Sequence, residues 1–120
     1  MRFLCLYKSG KPEGAPPTQE EMDRMGKLIE EAMKAGWLLE TEGCLPSALG
    51  ARVRLSGGNF NVTDGPFTET KELIGGFAII QAATKQEAIE HTKYFLQVAG
   101  GGETEIRQLY EAPASASVKR

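Results

Sequence analysis

The sequence predicts a single α+β domain in which two strand-helix-strand units flank a β-hairpin. Two observations predict the helices: Thr18 with Glu21 and Thr84 with Glu87 each give the Ser/Thr-x-x-Glu start of a capping box, and each opens a run of apolar residues at helical spacing. A third predicts the hairpin, since "ARVRLS" and "NFNVT" alternate apolar and polar residues around Gly57-Gly58, a pair suited to a tight turn with positive φ. At 120 residues the chain has the length of one domain and is long enough to bury a core.

The first strand is Arg2 to Lys8, "RFLCLYK", with Phe3, Cys5 and Tyr7 on one face and Leu4 and Leu6 on the other, so both faces must be covered. After the loop "SGKPEGAPP", Met22, Met25, Ile29, Ala32, Met33 and Gly36 recur at helical spacing, and Gly36 suits a left-handed stop. "WLLETEG" reads as the second strand and "CLPSALG" as a connector punctuated by proline and glycine. The hairpin follows, with Arg52 and Arg54 on one of its faces. "LIGGFAIIQA" is again apolar on both faces, and Gly75-Gly76 permits a bulge or a close backbone approach. Ala88, Ile89, Thr92, Leu96 and Ala99 set the stripe of the second helix, which "GGG" terminates. "ETEIRQLYE" is the last strand. Residues 112–120 are expected to form a flexible tail, leaving residues 1–111 as the domain.

Two such units with right-handed crossovers place both helices on one face of a mostly antiparallel sheet, the ferredoxin-like arrangement. The other sheet face would be bare, yet the strands carry bulky apolar groups on both sides. A large exposed apolar face marks an interface, which predicts a homodimer with two sheets facing each other.

Composition narrows the function. The hydrophobic share of 41% and the charged share of 25% are those of a globular domain, and no apolar run is long enough to span a bilayer. Fourteen basic residues against sixteen acidic give a net charge of -2, with the basic residues scattered, so neither nucleic acid nor an anionic membrane is expected as a partner. The N-terminus lacks the length and cleavage site of a signal peptide, which points to the cytoplasm and to Cys5 and Cys44 as reduced thiols.

The chemistry-bearing residues each admit two readings. Asp64, one of two aspartates, stands before Gly65-Pro66. A carboxylate in a partly apolar cleft can serve as a general acid or base, whereas an Asx-type turn accounts for Asp-Gly-Pro with no chemistry at all. Arg54 can anchor a ligand carboxylate or phosphate, or pair with Asp64 or Glu69. Tyr7 can line a cavity or fill the core. Lys71, in "TETKE", can bind or react with a ligand, or keep a sheet edge solvated. His91 reads as a partly exposed helix histidine with no ligand partner at metal spacing, and no metal site is predicted. The glycine-rich pieces lack phosphate-loop spacing, and no cofactor is predicted.

Asp64-Gly65-Pro66-Phe67, followed by Glu69, Lys71-Glu72 and Leu73-Ile74-Gly75-Gly76-Phe77, resembles the signature of YCII-related proteins of the DGPF type. The ending "GGETEIRQLYE" is similar to that family's ending, and the likeness spans residues 1 to 111. The resemblance implies a dimeric α+β barrel of ferredoxin-like units. It also implies a link, in some members, to extracytoplasmic-function sigma factors, and in the YCII branch a His-Asp pair proposed as an active site. The aspartate matches at Asp64, but the histidine has no match, because His91 lies within the second helix.

The expectation is therefore a small homodimer that binds a small, anionic organic molecule in a cleft near the DGPF segment. Asp64 would be its acid-base group, and Tyr7, Arg54 and Lys71 its ligand contacts. The alternative is a non-catalytic binding or regulatory module tied to sigma-factor-dependent transcription, in which the DGPF segment holds the dimer together. The sequence leaves open whether the protein is an enzyme.

Overall fold

The computed structural model describes residues 1–67 and 73–111. They form β1 (Arg2–Lys8), α1 (Gln19–Ala35), β2 (Leu38–Gly43), a 3-10 turn (Ser47–Leu49), β3 (Ala51–Ser56), β4 (Asn59–Asp64), β5 (Gly76–Gln81), α2 (Lys85–Ala99) and β6 (Glu103–Gln108). β1, β2, β5 and β6 make one antiparallel sheet in the order β2-β5-β1-β6, while β3 and β4 pair only with each other. With the hairpin set aside this is the ferredoxin-like order, because each unit leaves room between its two strands for one strand of the other. The expected α+β class is what folds. Lys71 and the 112–120 tail lie outside the described residues.

Local chemistry fixes both helix starts. In α1 the Glu21 N–H donates to Thr18 Oγ1 at 3.1 Å and the Thr18 N–H donates to Glu21 Oε1 at 2.9 Å, a complete capping box. The helix ends at Gly36 in the left-handed region, φ 86°. α2 differs in one respect: Thr84 Oγ1 accepts the Glu87 N–H, but the Glu87 carboxylate takes the N–H of Ala83 instead of that of Thr84. The α1 stripe also needs correcting. Leu28 and Ala32 are its buried centre, one turn apart, while Met22 and Met33 stay nearly half exposed because they lie off that line.

Strand register sorts the sheet into two faces. Toward the helices, the first row is Phe3, Ile80 and Leu38, the second Ile106, Cys5, Ala78 and Thr41, and the third Thr104, Tyr7, Gly76 and Gly43. Only the first row is packed tight: Phe3, Ile80 and Leu38 are buried against Leu28, Ala32 and Ala88. Away from the helices stand Leu4, Leu6, Phe77 and Ile79, all half-buried, flanked by Glu40 and Glu42 on one edge and Glu105 and Arg107 on the other. Among the described residues no helix is long and apolar enough to cross a membrane.

The anticipated bulge at Gly75-Gly76 falls instead in β2, between Leu38 and Glu40. Gly76 serves the other purpose foreseen for it, since a Cβ there would stand 2.9 Å from the Glu42 carbonyl oxygen.

The DGPF turn is a packing joint. Gly65 lies so close to the 3-10 turn that a Cβ would overlap the Ser47 carbonyl oxygen, and its N–H donates to Gly50 O at 3.0 Å. Two residues on, the Phe67 N–H donates to Ser47 Oγ at 3.1 Å. Ser47 in turn donates both its N–H and its hydroxyl to the Glu13 carboxylate, at 2.8 and 2.6 Å. Arg52 covers the Phe67 ring at 3.9 Å. Three loops are thereby tied at the base of the hairpin. Gly65→Ala is expected to force this backbone apart and cost about 1–3 kcal/mol, as overpacking does. A lower urea midpoint with the fold retained checks it, and an unchanged midpoint refutes the contact.

Candidate functional site

The change in side-chain size along the sheet leaves space. Over the second and third rows, where Cys5, Ala78, Gly76 and Gly43 give a low floor, a cavity of about 600 Å³ opens between the sheet and the two helices. Met22, Met25, Gly26 and Ile29 of α1 form one wall, and His91, Thr92 and Phe95 of α2 the other. Such a volume, mostly apolar with a few polar groups, is what small-molecule sites have.

Its polar groups are individually placed. The Tyr7 hydroxyl donates to Gly101 O at 3.1 Å, and its ring meets Phe95 edge-on at 5.0 Å. Thr104, beside Tyr7 in the third row, has a buried hydroxyl without a hydrogen-bond partner among the described residues, a group that costs roughly 1–3 kcal/mol to leave unmet. The Thr41 and Thr92 hydroxyls donate to the Phe77 and Ala88 carbonyls, both at 2.9 Å. Burial pushes the Cys5 thiol up from its ordinary value, partly offset by a hydrogen bond with Thr92, so it is a poor nucleophile. His91 lies flat on Trp37, with centroids 4.0 Å apart and planes 5° from parallel, and its Nε2 is 3.7 Å from Glu87 Oε1. Glu21 brings a carboxylate to the cavity lining, whereas Glu42 lines it from β2 with its side chain on the far face of the sheet.

The residues singled out from the sequence divide. Tyr7 lines the cavity with its hydroxyl already satisfied and its ring against Phe95, so features of both readings are present. Asp64 and Arg54 do not line it; they sit on the hairpin, both exposed. Register explains why they do not pair. Asp64 stands opposite Ala51 on the face of Val53 and Val62, whereas Arg54 stands opposite Asn61 on the other face. The Asx-type bond anticipated for Asp64 is not made with any described residue. Lys71 lies outside the described residues. His91, Thr104 and Trp37 were missed, although His91 stands next to Thr92 in the stripe and one turn after Ala88, which turns it toward the sheet.

A second hollow, of about 240 Å³, lies at the hairpin base between Glu13, Ser47, Arg52 and Phe67, and the joint described above already engages these groups. Among the described residues no three His, Cys, Asp or Glu side chains come together as metal ligands.

Comparison with known proteins bears on the whole chain. The family model described as the YCII-related domain matches residues 1–111. The chain belongs to the YCII-related domain family. A relative, an uncharacterised protein of Rhizobium meliloti, is 38% identical over 97 residues, 78% of each chain. Among solved structures, the 5-chloro-2-hydroxyhydroquinone dehydrochlorinase of Burkholderia phenoliruptrix, in complex with 2,5-dihydroxybenzoquinone, superposes with a TM-score of 0.52 at 19% identity. The match covers 93% of this chain and 96% of that one, and at this identity it shows a shared fold.

Glu21 ties the helix start to the cavity. The Thr18 backbone N–H first, and then Lys11 at 2.9 Å, hold its carboxyl down at about 2 from an ordinary 4.5. A depressed carboxyl stabilises the fold above its unfolded value and loses that contribution as pH falls through its folded value. The stability difference between the wild type and Glu21→Gln should therefore be full above pH 4.5, shrink below it, and vanish under about pH 2. Denaturant unfolding across that range checks it, and a difference independent of pH would remove the carboxylate from the cap.

Proposed function

We propose that the protein is a cytoplasmic homodimer that binds a small, ring-containing organic molecule in the cavity between its sheet and its helices. The observation that carries this reading is the apolar cavity of about 600 Å³ lined by Tyr7, Trp37, His91 and Phe95. The dehydrochlorinase that shares the fold holds 2,5-dihydroxybenzoquinone, a molecule of a size this cavity accommodates. Thr104 supplies a hydroxyl in want of a partner, which suits a ligand bearing a hydroxyl or carbonyl.

Support for the dimer comes from the hairpin. Val53, Leu55, Phe60 and Val62 share one of its faces and are 67, 62, 74 and 61% exposed. Each such side chain contributes roughly 1.5–3 kcal/mol when fully buried, so a second copy is a strong reason for this face. The half-buried Leu4, Leu6, Phe77 and Ile79 add a second apolar surface on the far side of the sheet. Asp64 ends the same apolar face of the hairpin, so its acid-base role belongs to the proposal as a group delivered across the subunit interface. Arg54, on the opposite face, is the arginine left to meet an anionic substituent. The second reading, a regulatory module for another protein, draws on the same exposed hairpin.

Calorimetric titration with 2,5-dihydroxybenzoquinone tests the ligand reading. Saturable binding is expected in the wild type and loss of it in Ala78→Leu, which fills the floor of the cavity. Binding that persists in the filled variant would place the ligand elsewhere, and Asp64→Asn binding and turning over ligand normally would strip Asp64 of its role. Sedimentation at micromolar concentration tests the assembly: the wild type should run as a dimer and Phe60→Lys as a monomer. A monomeric wild type would refute the homodimer and favour a protein partner.

A further inference from the structure

One histidine and one tryptophan occur in the whole sequence, and the fold stacks one on the other at the edge of the cavity. His91 comes from the middle of α2 and Trp37 from the residue before β2, so tertiary packing and not chain proximity brings them together. The Trp37 face fixes the plane of the imidazole. Glu87, one turn earlier on α2, places a carboxylate oxygen 3.7 Å from Nε2. That contact, longer than a hydrogen bond, turns Nε2 toward the carboxylate, and Nδ1 has no hydrogen-bond partner among the described residues.

We propose that His91 is an acid-base group supplied by the cavity's own lining, distinct from Asp64, oriented by Trp37 and Glu87, and that it takes the proton of a hydroxyl on an uncharged ring-containing ligand. This rests on the cavity being a ligand site. The ligand O–H bond breaks, the proton moves to Nδ1, and the electron pair stays on the ligand oxygen, giving an imidazolium beside a ligand oxyanion with no further reactant. An imidazolium formed here has the Glu87 carboxylate 3.7 Å from Nε2 and the Trp37 ring stacked on its face. The other titratable side chains facing the cavity are Cys5 and Tyr7 on β1 and Glu21 on α1; Glu42 on β2 lines it too, but its carboxylate stands on the far face of the sheet. None of them is set up as well. Glu21 is engaged by Thr18 and Lys11, the Cys5 thiol is pushed up by burial, and the Tyr7 hydroxyl donates to Gly101. Among the described lining residues there is no Lys or Arg to bind an anion that arrives already charged, which is why the ligand is written in its uncharged form.

The test uses 4-nitrophenol, whose ionised form is coloured, at a pH below its own ionisation. Trp37 fluorescence reports whether the probe enters. The ring nitrogens of the single histidine report its charge by NMR, with no assignment variant needed. The expected result is a saturable change in Trp37 fluorescence, together with a several-fold rise in the ionised fraction of bound over free probe and a His91 ring in the imidazolium form. His91→Gln should bind the probe in its uncharged form, and Glu87→Gln, which keeps the ring and its stack, should lower the ionised fraction. Probe bound uncharged to the wild type with the imidazole signals unmoved would overturn the assignment while leaving the cavity a binding site. An equal rise in colour with His91→Gln would also overturn it, in favour of another base. If the probe produces no change in Trp37 fluorescence or NMR at all, the cavity reading itself falls and this proposal with it.

Discussion

The structure depends on a gradient of side-chain size along the helix-facing side of its sheet. At one end Phe3, Ile80 and Leu38 are large enough to meet Leu28, Ala32 and Ala88, and that contact holds the helices down. At the other end Ala78, Gly76 and Gly43 are too small to reach them. Leu28 and Ala32 of α1 and Ala88 of α2 are already seated against that first row. The cavity is therefore a consequence of packing, not a gap left by chance. The aromatic groups around it mark its ends: Tyr7 with Phe95 toward the third row, and Trp37 with His91 near the first.

The DGPF segment shows how a motif with the look of chemistry can serve architecture. Its glycine is dictated by the Ser47 backbone, its phenylalanine lies under Arg52, and the Phe67 N–H completes a chain of bonds from Glu13 through Ser47. These contacts aim the hairpin away from the body, so that one apolar face is left over. Structural and functional readings of the motif then converge on the hairpin: what the joint holds out is the surface that a second subunit would cover.

Much of this fold is legible in the sequence because its signals are local. The capping pair Thr18 and Glu21, the left-handed stop at Gly36 and the turn at Gly57-Gly58 depend on neighbours within a few residues, and all are found where the spacing puts them. The site is less legible because it is assembled across the sheet. Nothing near Trp37 in the chain announces His91, and nothing near Thr104 announces Tyr7; both pairs follow from the strand order and register. Asp64 and Arg54 were drawn together on the strength of a hairpin, but an antiparallel pair divides its residues between two faces, and an even or odd offset decides which side each takes.

Charge bears on the kind of ligand proposed for the cavity. The expectation of an anionic molecule drew on arginines and a lysine near the DGPF turn, but the described residues that line the cavity include the carboxylate of Glu21 and no Lys or Arg. Taking an anion from water into an apolar space costs several kcal/mol unless a cation compensates it. Lys11 does not fill that need, since it is spent on Glu21 at 2.9 Å. An uncharged ring avoids the cost on entry. Any negative charge that then develops on the ligand has to be matched by a positive one made inside the cavity, and a neutral imidazole that accepts the ligand's own proton supplies both charges at once, in contact. On the proposal made for His91, apolar walls that disfavour a preformed anion and a histidine that creates an ion pair in place would be two parts of one selectivity.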